Sequence, residues 1–226
     1  MLRYKRNMNM LTPEENDSLK NYKVCVVGCG GLGGYVIEML GRLGIGYITA
    51  VDSDVFDETN LNRQLLSDME ALGRSKAYAA KERMNKVNPF ITINPINTRF
   101  NSENGLEIIA GHDVVIDALD NVESRILLEE ISEKAGIPLI HGAIAGWFGQ
   151  VTTVFPGDKT LHKLYPGEMK HGIEKELGNP SFTPALIASI QVSEAIKVLI
   201  KRGNLLRNKI LMINLLEHQH EIIELG

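Results

Sequence analysis

Apolar residues follow two alternating spacings along this chain. Short apolar runs, typical of strands buried on both faces of a sheet, are followed by longer stretches in which apolar residues recur every three or four positions, as on one side of a helix. The first such pair is the run Lys23–Gly28 and the stretch Leu32–Leu43, and Gly44 and Gly46 mark where the helix ends. This alternation predicts an α/β fold with a mostly parallel, Rossmann-like sheet and helices on both faces.

The same criteria assign the remaining elements. Periods of two or of three to four residues, bounded by Gly, Pro, Asn or Asp, mark their extents. The predicted strands are Lys23–Gly28, Tyr47–Asp52, Ile91–Ile96, Asp113–Ala118, Leu139–Ala145, Gly149–Phe155, Lys209–Asn214 and His218–Ile223, and the predicted helices are Leu32–Leu43, Ser75–Val87, Glu123–Ala135 and Ala185–Leu199.

The pattern changes in the second half of the chain. Three residues, Gly146-Trp147-Phe148, separate two strand-like runs there, a spacing that fits a hairpin, so antiparallel strands should continue the sheet. Residues 156–180 are the least regular part, and a loop of that length is either functional or disordered. With 226 residues the chain is long enough for one large domain, 1–226.

Composition argues against nucleic-acid-binding, secreted, membrane and disulfide-rich proteins. The net charge is −4, so no basic surface suggests a nucleic-acid partner. The N-terminus lacks the apolar run of a secretory signal, and no stretch was expected to approach the roughly 20 apolar residues of a membrane helix. Cys25 and Cys29 are the two cysteines, too few for a disulfide framework or a four-cysteine zinc site. We therefore expect a reduced, cytoplasmic protein with no membrane partner.

A glycine-rich loop follows the first predicted strand. Gly28, Gly30 and Gly33 stand between that strand and the first helix, where missing side chains and the helix dipole favour a bound phosphate. Asp52 ends the second strand and is placed to accept hydrogen bonds from ribose hydroxyls. These residues alone leave NAD and ATP open as ligands, and the carboxylates of Asp54 and Asp57 are interpreted as solvated or capping groups.

Two cationic side chains favour ATP over NAD as the ligand. A triphosphate that is about to be cleaved needs its charge neutralised, and Arg63 and Lys76 could supply that charge. Lys76 falls in the first turn of a predicted helix, where a cation opposes the helix dipole, so helix stability does not explain it. Arg74 shares the location and could compete for the role, and a surface lysine remains the alternative.

Polar side chains also follow the fourth predicted strand. Asp120 suits Mg²⁺, which takes one or two carboxylates together with phosphate oxygens, although it could also cap the helix beginning near Glu123. Asp117 is interpreted as structural and His141 as a satisfied core residue. No serine or cysteine nucleophile paired with histidine is recognisable.

In order along the chain, these motifs resemble the ThiF/MoeB/HesA family, relatives of the ubiquitin-activating enzymes. The resemblance covers residues 3 to 155 and resumes in the helix Ala185–Leu199. The segments that carry it are Arg3-Tyr4-Lys5-Arg6-Asn7, Val27-Gly28-Cys29-Gly30-Gly31-Leu32-Gly33, Asp52-Ser53-Asp54, Asn60-Leu61-Asn62-Arg63-Gln64, Gly73-Arg74-Ser75-Lys76-Ala77 and Asp117-Ala118-Leu119-Asp120-Asn121.

The resemblance implies ATP-dependent adenylation of the C-terminal glycine carboxylate of a ubiquitin-like sulfur-carrier protein ending in Gly-Gly. It implies a ThiF-type domain with an N-terminal helical arm at 1–22 and a crossover loop at 156–180, and a homodimer in which Arg6 reaches the nucleotide of the other subunit. By position, the implied nucleotide-binding residues are Gly28, Gly30, Gly31, Gly33, Asp52, Asn60, Arg63, Gln64, Lys76 and Asn121, and Asp120 would serve Mg²⁺.

The cysteines suggest where the reaction ends. Many relatives carry a crossover-loop cysteine and two Cys-x-x-Cys zinc pairs, and this chain has neither. We therefore expect ATP and Mg²⁺ without zinc, and an adenylate that is handed onward without a thioester.

Three other functions remain open. Gly44-Ile45-Gly46 and the absent zinc cysteines are also compatible with a cyclase acting on threonylcarbamoyladenosine in tRNA. A non-catalytic nucleotide-binding partner subunit and an NAD-dependent dehydrogenase are weaker alternatives.

Overall fold

One eight-stranded sheet runs through the structure, a computed structural model that describes residues 1–166 and 177–225. The strand order is β3-β2-β1-β4-β5-β6-β7-β8. The strands β1 to β5 pair in parallel, and β5 to β8 pair in antiparallel fashion. The strands are β1 (Lys23–Val27), β2 (Tyr47–Val51), β3 (Thr92–Ile96), β4 (Val114–Asp117), β5 (Leu139–Ala145), β6 (Phe148–Val154), β7 (Lys209–Asn214) and β8 (Gln219–Glu224).

The described α-helices vary widely in length. They are α1 (Pro13–Ser18), α2 (Gly31–Leu43), α3 (Lys76–Val87), α4 (Gly105–Ile109), α5 (Val122–Ala135), α6 (Thr160–Leu164) and α7 (Phe182–Ile200).

Alternate residues of the parallel strands face two separate apolar cores. Val24 and Val26 of β1 belong to a core that α2, α3 and α7 complete. Cys25 and Val27 belong to a second core, completed by α4, α5 and α6. Because successive strand side chains point to opposite faces, β1 has to be apolar at every one of these four positions. The helices therefore cover both faces of the sheet, which confirms the predicted α/β architecture.

Predicted and observed elements agree apart from a few boundaries and short helices. The predicted hairpin is confirmed, with a shorter turn, because Phe148 pairs with Ala145. The helix predicted from Ala185 begins three residues earlier, at Phe182. The short helices α4 and α6 were not predicted, and α6 lies within the segment 156–180 that was expected to be irregular. The rest of that expectation falls partly on residues 167–176, which lie outside the described residues.

The N-terminal segment is helical, as expected for the arm at 1–22. A 3₁₀ helix at Leu2–Asn7 precedes α1, and a second 3₁₀ helix at Leu19–Asn21 leads into β1. Thr12 and Glu15 form a capping box at the start of α1.

The helix α7 corrects the expectation that no apolar stretch of this chain is long enough for a membrane helix. Its 19 residues are long and apolar enough to cross a membrane by length and composition, contrary to the expectation that no stretch approaches this limit. More than half of the helix is nevertheless buried inside the domain, as in the core helix of a globular protein. Its buried polar residues have partners there, since Gln191 donates to the carbonyl oxygen of Asp117 and Glu194 accepts from Thr153.

Candidate functional site

A cavity of about 620 Å³ opens at the carboxyl ends of the parallel strands. Its lining includes Gly28 after β1, Asp52 after β2 and Asp120 after β4. The strand order reverses between β1 and β4, and open α/β sheets bind ligands at such a switch point. The cavity therefore lies where the sequence predicted a nucleotide, and its volume suits a small-molecule ligand.

Two glycines of the loop are required by packing. Gly28 has a φ of +99°, and a Cβ atom there would lie 2.4 Å from the carbonyl oxygen of Ala118. A Cβ atom on Gly33 would lie 1.8 Å from the carbonyl oxygen of Gly28. Both approaches are far below contact distance, so these glycines allow β1, α2 and the end of β4 to come together. Gly28 lines the cavity, whereas Gly33 does not.

The other two glycines, at the start of α2, are not required by packing. A Cβ atom on Gly30 or Gly31 would meet only side-chain atoms of Gln64 or Arg63, at 3.6 Å or more. Both glycines line the cavity. A phosphate group could therefore approach the backbone N–H groups at the beginning of this 13-residue helix, where the helix dipole favours negative charge.

The carboxylate of Asp52 connects the glycine loop to the end of β2. It accepts hydrogen bonds from the backbone N–H groups of Cys29, at 2.7 Å, and of Asp54, at 2.8 Å. Burial raises the pKa of Asp52 above its usual value, and these two hydrogen bonds act against that shift. Asp52 also lines the cavity, so its oxygens remain placed for a ribose hydroxyl.

Lys76 is a nearly buried cation at the cavity wall. Its side chain is 9% exposed, and its Nζ atom lies 3.1 Å from Oδ2 of Asp54. It is the first residue of α3, as predicted. Arg74, the competing candidate, forms an exposed ion pair with Glu82 and does not line the cavity. Asp54 was interpreted as a solvated or capping residue, but the structure places it in the lining as the partner of Lys76.

Arg63 and Gln64 project from the turn that follows a short 3₁₀ helix, Glu58–Asn60. One guanidinium nitrogen of Arg63 donates to the carbonyl oxygen of Thr59 and to Oδ1 of Asn62. Gln64 is buried, and its Oε1 atom has no hydrogen-bond partner among the described residues. Both side chains line the cavity, so the guanidinium of Arg63 and the Nε2 group of Gln64 are N–H donors that a phosphate could accept from.

Asp120 and Asn121 differ in their roles: one is available to bind a cation, and the other caps the helix that follows. Asn121, and not Asp120, caps α5, because its Oδ1 atom accepts from the backbone N–H of Ser124 at 2.9 Å. The carboxylate of Asp120 is exposed, lines the cavity and receives one hydrogen bond, from Nδ2 of Asn121. Asp120 therefore keeps most of its oxygen lone pairs for a cation, which fits the hard oxygen ligands of Mg²⁺.

Besides Gly33, two predicted residues do not line this cavity. Asn60 is buried, and its side chain exchanges hydrogen bonds with Asp57 in a capping box. The capping interpretation of Asp57 is thereby confirmed. Arg6 is an exposed residue of the N-terminal 3₁₀ helix and lies outside the cavity lining of its own chain.

Several lining residues were not anticipated. Arg99 follows β3, Gly142 lies within β5, and Asn179 precedes α7. The position of Arg99 after a parallel strand was a usable signal, since strands of this kind end at the same edge of the sheet. Nothing in the sequence around Asn179 could have indicated its place, because it reaches the cavity from a segment with no regular pattern.

His141 and Asp117 form a buried pair behind the cavity. Nδ1 of His141 lies 2.7 Å from Oδ2 of Asp117, and both side chains are fully buried. Nε2 of His141 lies 3.1 Å from the hydroxyl of Tyr165, so both ring nitrogens have partners. The interpretation of these two residues as structural is confirmed, since neither lines the cavity.

The thiols of this chain are poorly suited to covalent catalysis. Cys25 and Cys29 are both free and buried, and burial raises the pKa of each thiol well above its usual value. Within residues 1–166 and 177–225, no three His, Cys, Asp or Glu side chains are grouped closely enough to hold a metal ion.

Comparisons with known proteins agree with this geometry. The ThiF family profile matches residues 4–226. The chain is 34% identical to the SAMP-activating enzyme E1 of Haloferax volcanii, over 98% of this chain and 84% of that protein. It is also 34% identical to the molybdopterin-synthase adenylyltransferase of Salmonella typhimurium, over 100% of this chain and 92% of that protein.

A solved structure that was determined with ATP shares the fold of this chain. The crystal structure of Escherichia coli MccB with ATP superposes with a TM-score of 0.85 at 25% identity, covering 99% of this chain and 71% of that chain. The chain belongs to the ThiF family and is an enzyme of the adenylyltransferase class.

Proposed function

We propose that this protein uses ATP to adenylate the C-terminal glycine carboxylate of a small ubiquitin-like sulfur-carrier protein. The observation that carries the proposal is the composition of the cavity wall. Arg63, Lys76 and Asp120 line one cavity together with the glycine loop, and no cysteine or histidine is among the described residues that line it. Such a site offers charge neutralisation and positioning, and adenylation requires nothing more of the protein.

The reaction is a displacement at phosphorus. A carboxylate oxygen of the carrier attacks the α-phosphorus of ATP, a new carbonyl-oxygen-to-phosphorus bond forms, and the bond to the β-phosphate oxygen breaks. The products are an acyl-adenylate and pyrophosphate. No proton needs to be removed from the attacking carboxylate, which agrees with the absence of a base from the proposed roles.

Each lining group has a place in this reaction. The open backbone at Gly30 and Gly31 would receive phosphate oxygens, and Asp52 would hold the ribose. Lys76 would exchange Asp54 for a phosphate, since Asp54 is 67% exposed and can move into solvent. Arg63 and Gln64, whose side chains lie next to Gly31 and Gly30, would bind the same triphosphate.

Asp120 fits a Mg²⁺ ligand. Its exposed carboxylate borders the cavity, and Mg²⁺ is commonly held by one carboxylate, waters and phosphate oxygens. The ion would supply further neutralisation of phosphate charge when it is bound. Two roles rest on the family resemblance alone: a phosphate contact by Asn60, and a homodimer in which Arg6 of one subunit approaches the nucleotide of the other.

The adenylate would be the final product on this polypeptide. Cys25 and Cys29 are buried in or beside β1 and line no part of the cavity, so neither can accept the activated glycine. A separate sulfur donor would then act on the adenylate. The names of relatives, a SAMP-activating enzyme and molybdopterin-synthase adenylyltransferases, support a sulfur carrier as the substrate. We propose that the carrier serves thiamine- or molybdopterin-type cofactor synthesis and that the reaction takes place in the cytoplasm.

The test is ATP–pyrophosphate exchange with purified ubiquitin-fold proteins from the source genome that end in Gly-Gly. Exchange should require a carrier and Mg²⁺, and it should disappear when the carrier lacks its last glycine. Absence of exchange with every such carrier would contradict the proposal. Exchange stimulated by tRNA in place of a carrier would favour the cyclase activity on tRNA.

A further inference from the structure

One polar side chain at the cavity has no partner and no role so far. Asn179 lines the cavity, yet its Oδ1 atom is closed to solvent and accepts no hydrogen bond from the described residues. An unpartnered buried acceptor is unfavourable, and native structures rarely retain one without a functional reason. Exchanging the oxygen and nitrogen of the amide would leave the nitrogen without a partner at the same place.

The backbone around Asn179 is held by other groups. Nδ2 of Asn62 donates to the carbonyl oxygen of Asn179 at 3.2 Å. The backbone N–H of Gly146 donates to the carbonyl oxygen of Gly178 at 2.7 Å, and Oγ1 of Thr183 donates to the carbonyl oxygen of Gly146 at 2.7 Å. These contacts tie the segment before α7 to the β5–β6 turn. The side-chain amide of Asn179 is thus placed at the cavity without being needed to hold the segment.

The surroundings of Asn179 indicate what kind of group it would bind. Gly142, Ala143 and Ile144 of β5 line the same cavity and carry no charge. The other unpartnered oxygen in the lining, Oε1 of Gln64, lies beside Gly30 in the phosphate part. An extended Gly-Gly tail has no side chains, so an enzyme can recognise it through hydrogen bonds to its backbone N–H and carbonyl groups. A free acceptor oxygen in the cavity lining cannot bond a phosphate oxygen, which is also an acceptor, but it suits such an N–H group.

We propose that Asn179 binds the substrate tail, with Oδ1 accepting the backbone N–H of the terminal glycine of the carrier. This inference rests on the proposed function, because it names a residue that would present the carboxylate to the α-phosphorus. The hydrogen bond would relieve the unpartnered acceptor and would fix the glycine next to its reacting carboxylate. ATP would not use this contact.

The first experiment compares Asn179→Ala with wild type in carrier-dependent pyrophosphate exchange. The carrier KM should rise about tenfold, the size expected when a bound N–H loses its acceptor, while the ATP KM stays within about twofold. Asn204→Ala, an exposed asparagine outside the cavity, is the matched control. Thr183→Val loosens the same segment and keeps the Asn179 amide, so a carrier KM raised equally by Thr183→Val would overturn the assignment.

A second experiment changes the carrier and compares both enzymes. A semisynthetic carrier whose terminal glycine is joined through an ester oxygen lacks the N–H and keeps the shape of the tail. Wild type should bind it about tenfold more weakly than the amide carrier, and Asn179→Ala should not discriminate between the two. Equal discrimination by both enzymes would overturn the proposal.

The two proposals fail in different ways. Absence of exchange with any Gly-Gly carrier contradicts the proposed function itself. Normal exchange with an unchanged carrier KM in Asn179→Ala contradicts only the role of Asn179.

Discussion

The Nζ atom of Lys76 lies 3.1 Å from Oδ2 of Asp54, although the lysine side chain is 9% exposed and the aspartate side chain 67% exposed. A nearly buried ammonium group thus has a partner that can swing into solvent. Because the carboxylate of Asp54 keeps most of its contact with solvent, a phosphate can replace it as the partner of the ammonium group. The pair holds the cation at the cavity wall until a nucleotide binds.

Replacing Lys76 should therefore abolish most of the activity. We expect Lys76→Ala to lower the exchange rate by about 10²- to 10³-fold, as for the loss of one charge-stabilising group. Arg74→Ala is the matched control, because Arg74 precedes the same helix and pairs with Glu82 outside the cavity. Equal losses in the two variants would contradict the assignment of Lys76.

Removal of the Asp54 carboxylate, which competes with phosphate for Lys76, should improve ATP binding. In Asp54→Asn the lysine loses this ion pair and has less to give up when ATP binds, so the ATP KM should fall by about two- to fivefold, the worth of a partly solvated ion pair. Steady-state exchange rates at varied ATP measure this change. A raised ATP KM would show that Asp54 assists the nucleotide and does not merely hold Lys76.

The glycine loop offers a matched pair of substitutions. Gly33→Ala places a Cβ atom 1.8 Å from the carbonyl oxygen of Gly28 and should lower the free energy of unfolding by about 1–3 kcal/mol or more. Gly31→Ala meets only Arg63 atoms at 3.6 Å or more and should fold normally, but its methyl group enters the space assigned to phosphate. Urea unfolding and ATP titration separate the two effects. Tight ATP binding by Gly31→Ala would contradict phosphate binding at this backbone.

Asp120 and Asn121 form a second pair with separable roles. Asp120→Ala should remove exchange activity, or raise the Mg²⁺ concentration that it requires, while stability changes little because this carboxylate is exposed. Asn121→Ala removes the N-cap of α5 and should cost about 1 kcal/mol of stability. Thermal unfolding and a Mg²⁺ titration of exchange distinguish them. Full activity of Asp120→Ala at low Mg²⁺ would contradict its role as a ligand.

The short helix α6 should respond to pH. A hydrogen bond from His162 to buried Glu129 raises the pKa of the histidine above its usual value. A raised folded-state pKa means that the stabilisation is complete below the ordinary histidine pKa and is lost as pH rises through the folded value. We expect the difference in urea midpoint between wild type and His162→Gln to be largest about one unit below the ordinary histidine pKa, near pH 5.5, and to shrink as pH rises through the raised pKa of His162. A difference independent of pH would contradict this linkage.

Local sequence patterns predicted most of the fold because the two apolar cores require a specific spacing on each element. The four residues from Val24 to Val27 had to be apolar on both faces, and that alone identified a central parallel strand. The helices α4 and α6 escaped prediction since five residues are too few to display a helical period. Element boundaries shifted by one to three residues where turns, and not periodicity, decide them.

Most residues of the candidate site could also be predicted from the sequence, because their place follows from the order of the strands along the chain. Residues that follow parallel strands, such as Asp52 and Asp120, must meet at one edge of the sheet, so their position in the chain implied their place in the cavity. What the chain order could not decide was the partner of each group. Tertiary contacts gave Asn121 the helix cap, paired Lys76 with Asp54 and placed Asn60 outside the lining.

By itself, the sequence determined the strand–helix order, the glycine loop and the absence of a crossover-loop cysteine, because these depend on residues adjacent in the chain. Only the tertiary structure decided which distant segments share the cavity. Asn179 lies 151 positions after Gly28, the difference between their residue numbers, yet both border the same space. Hydrogen bonds from Asn62 and around Gly146 bring it there, and no local pattern records contacts between segments so far apart.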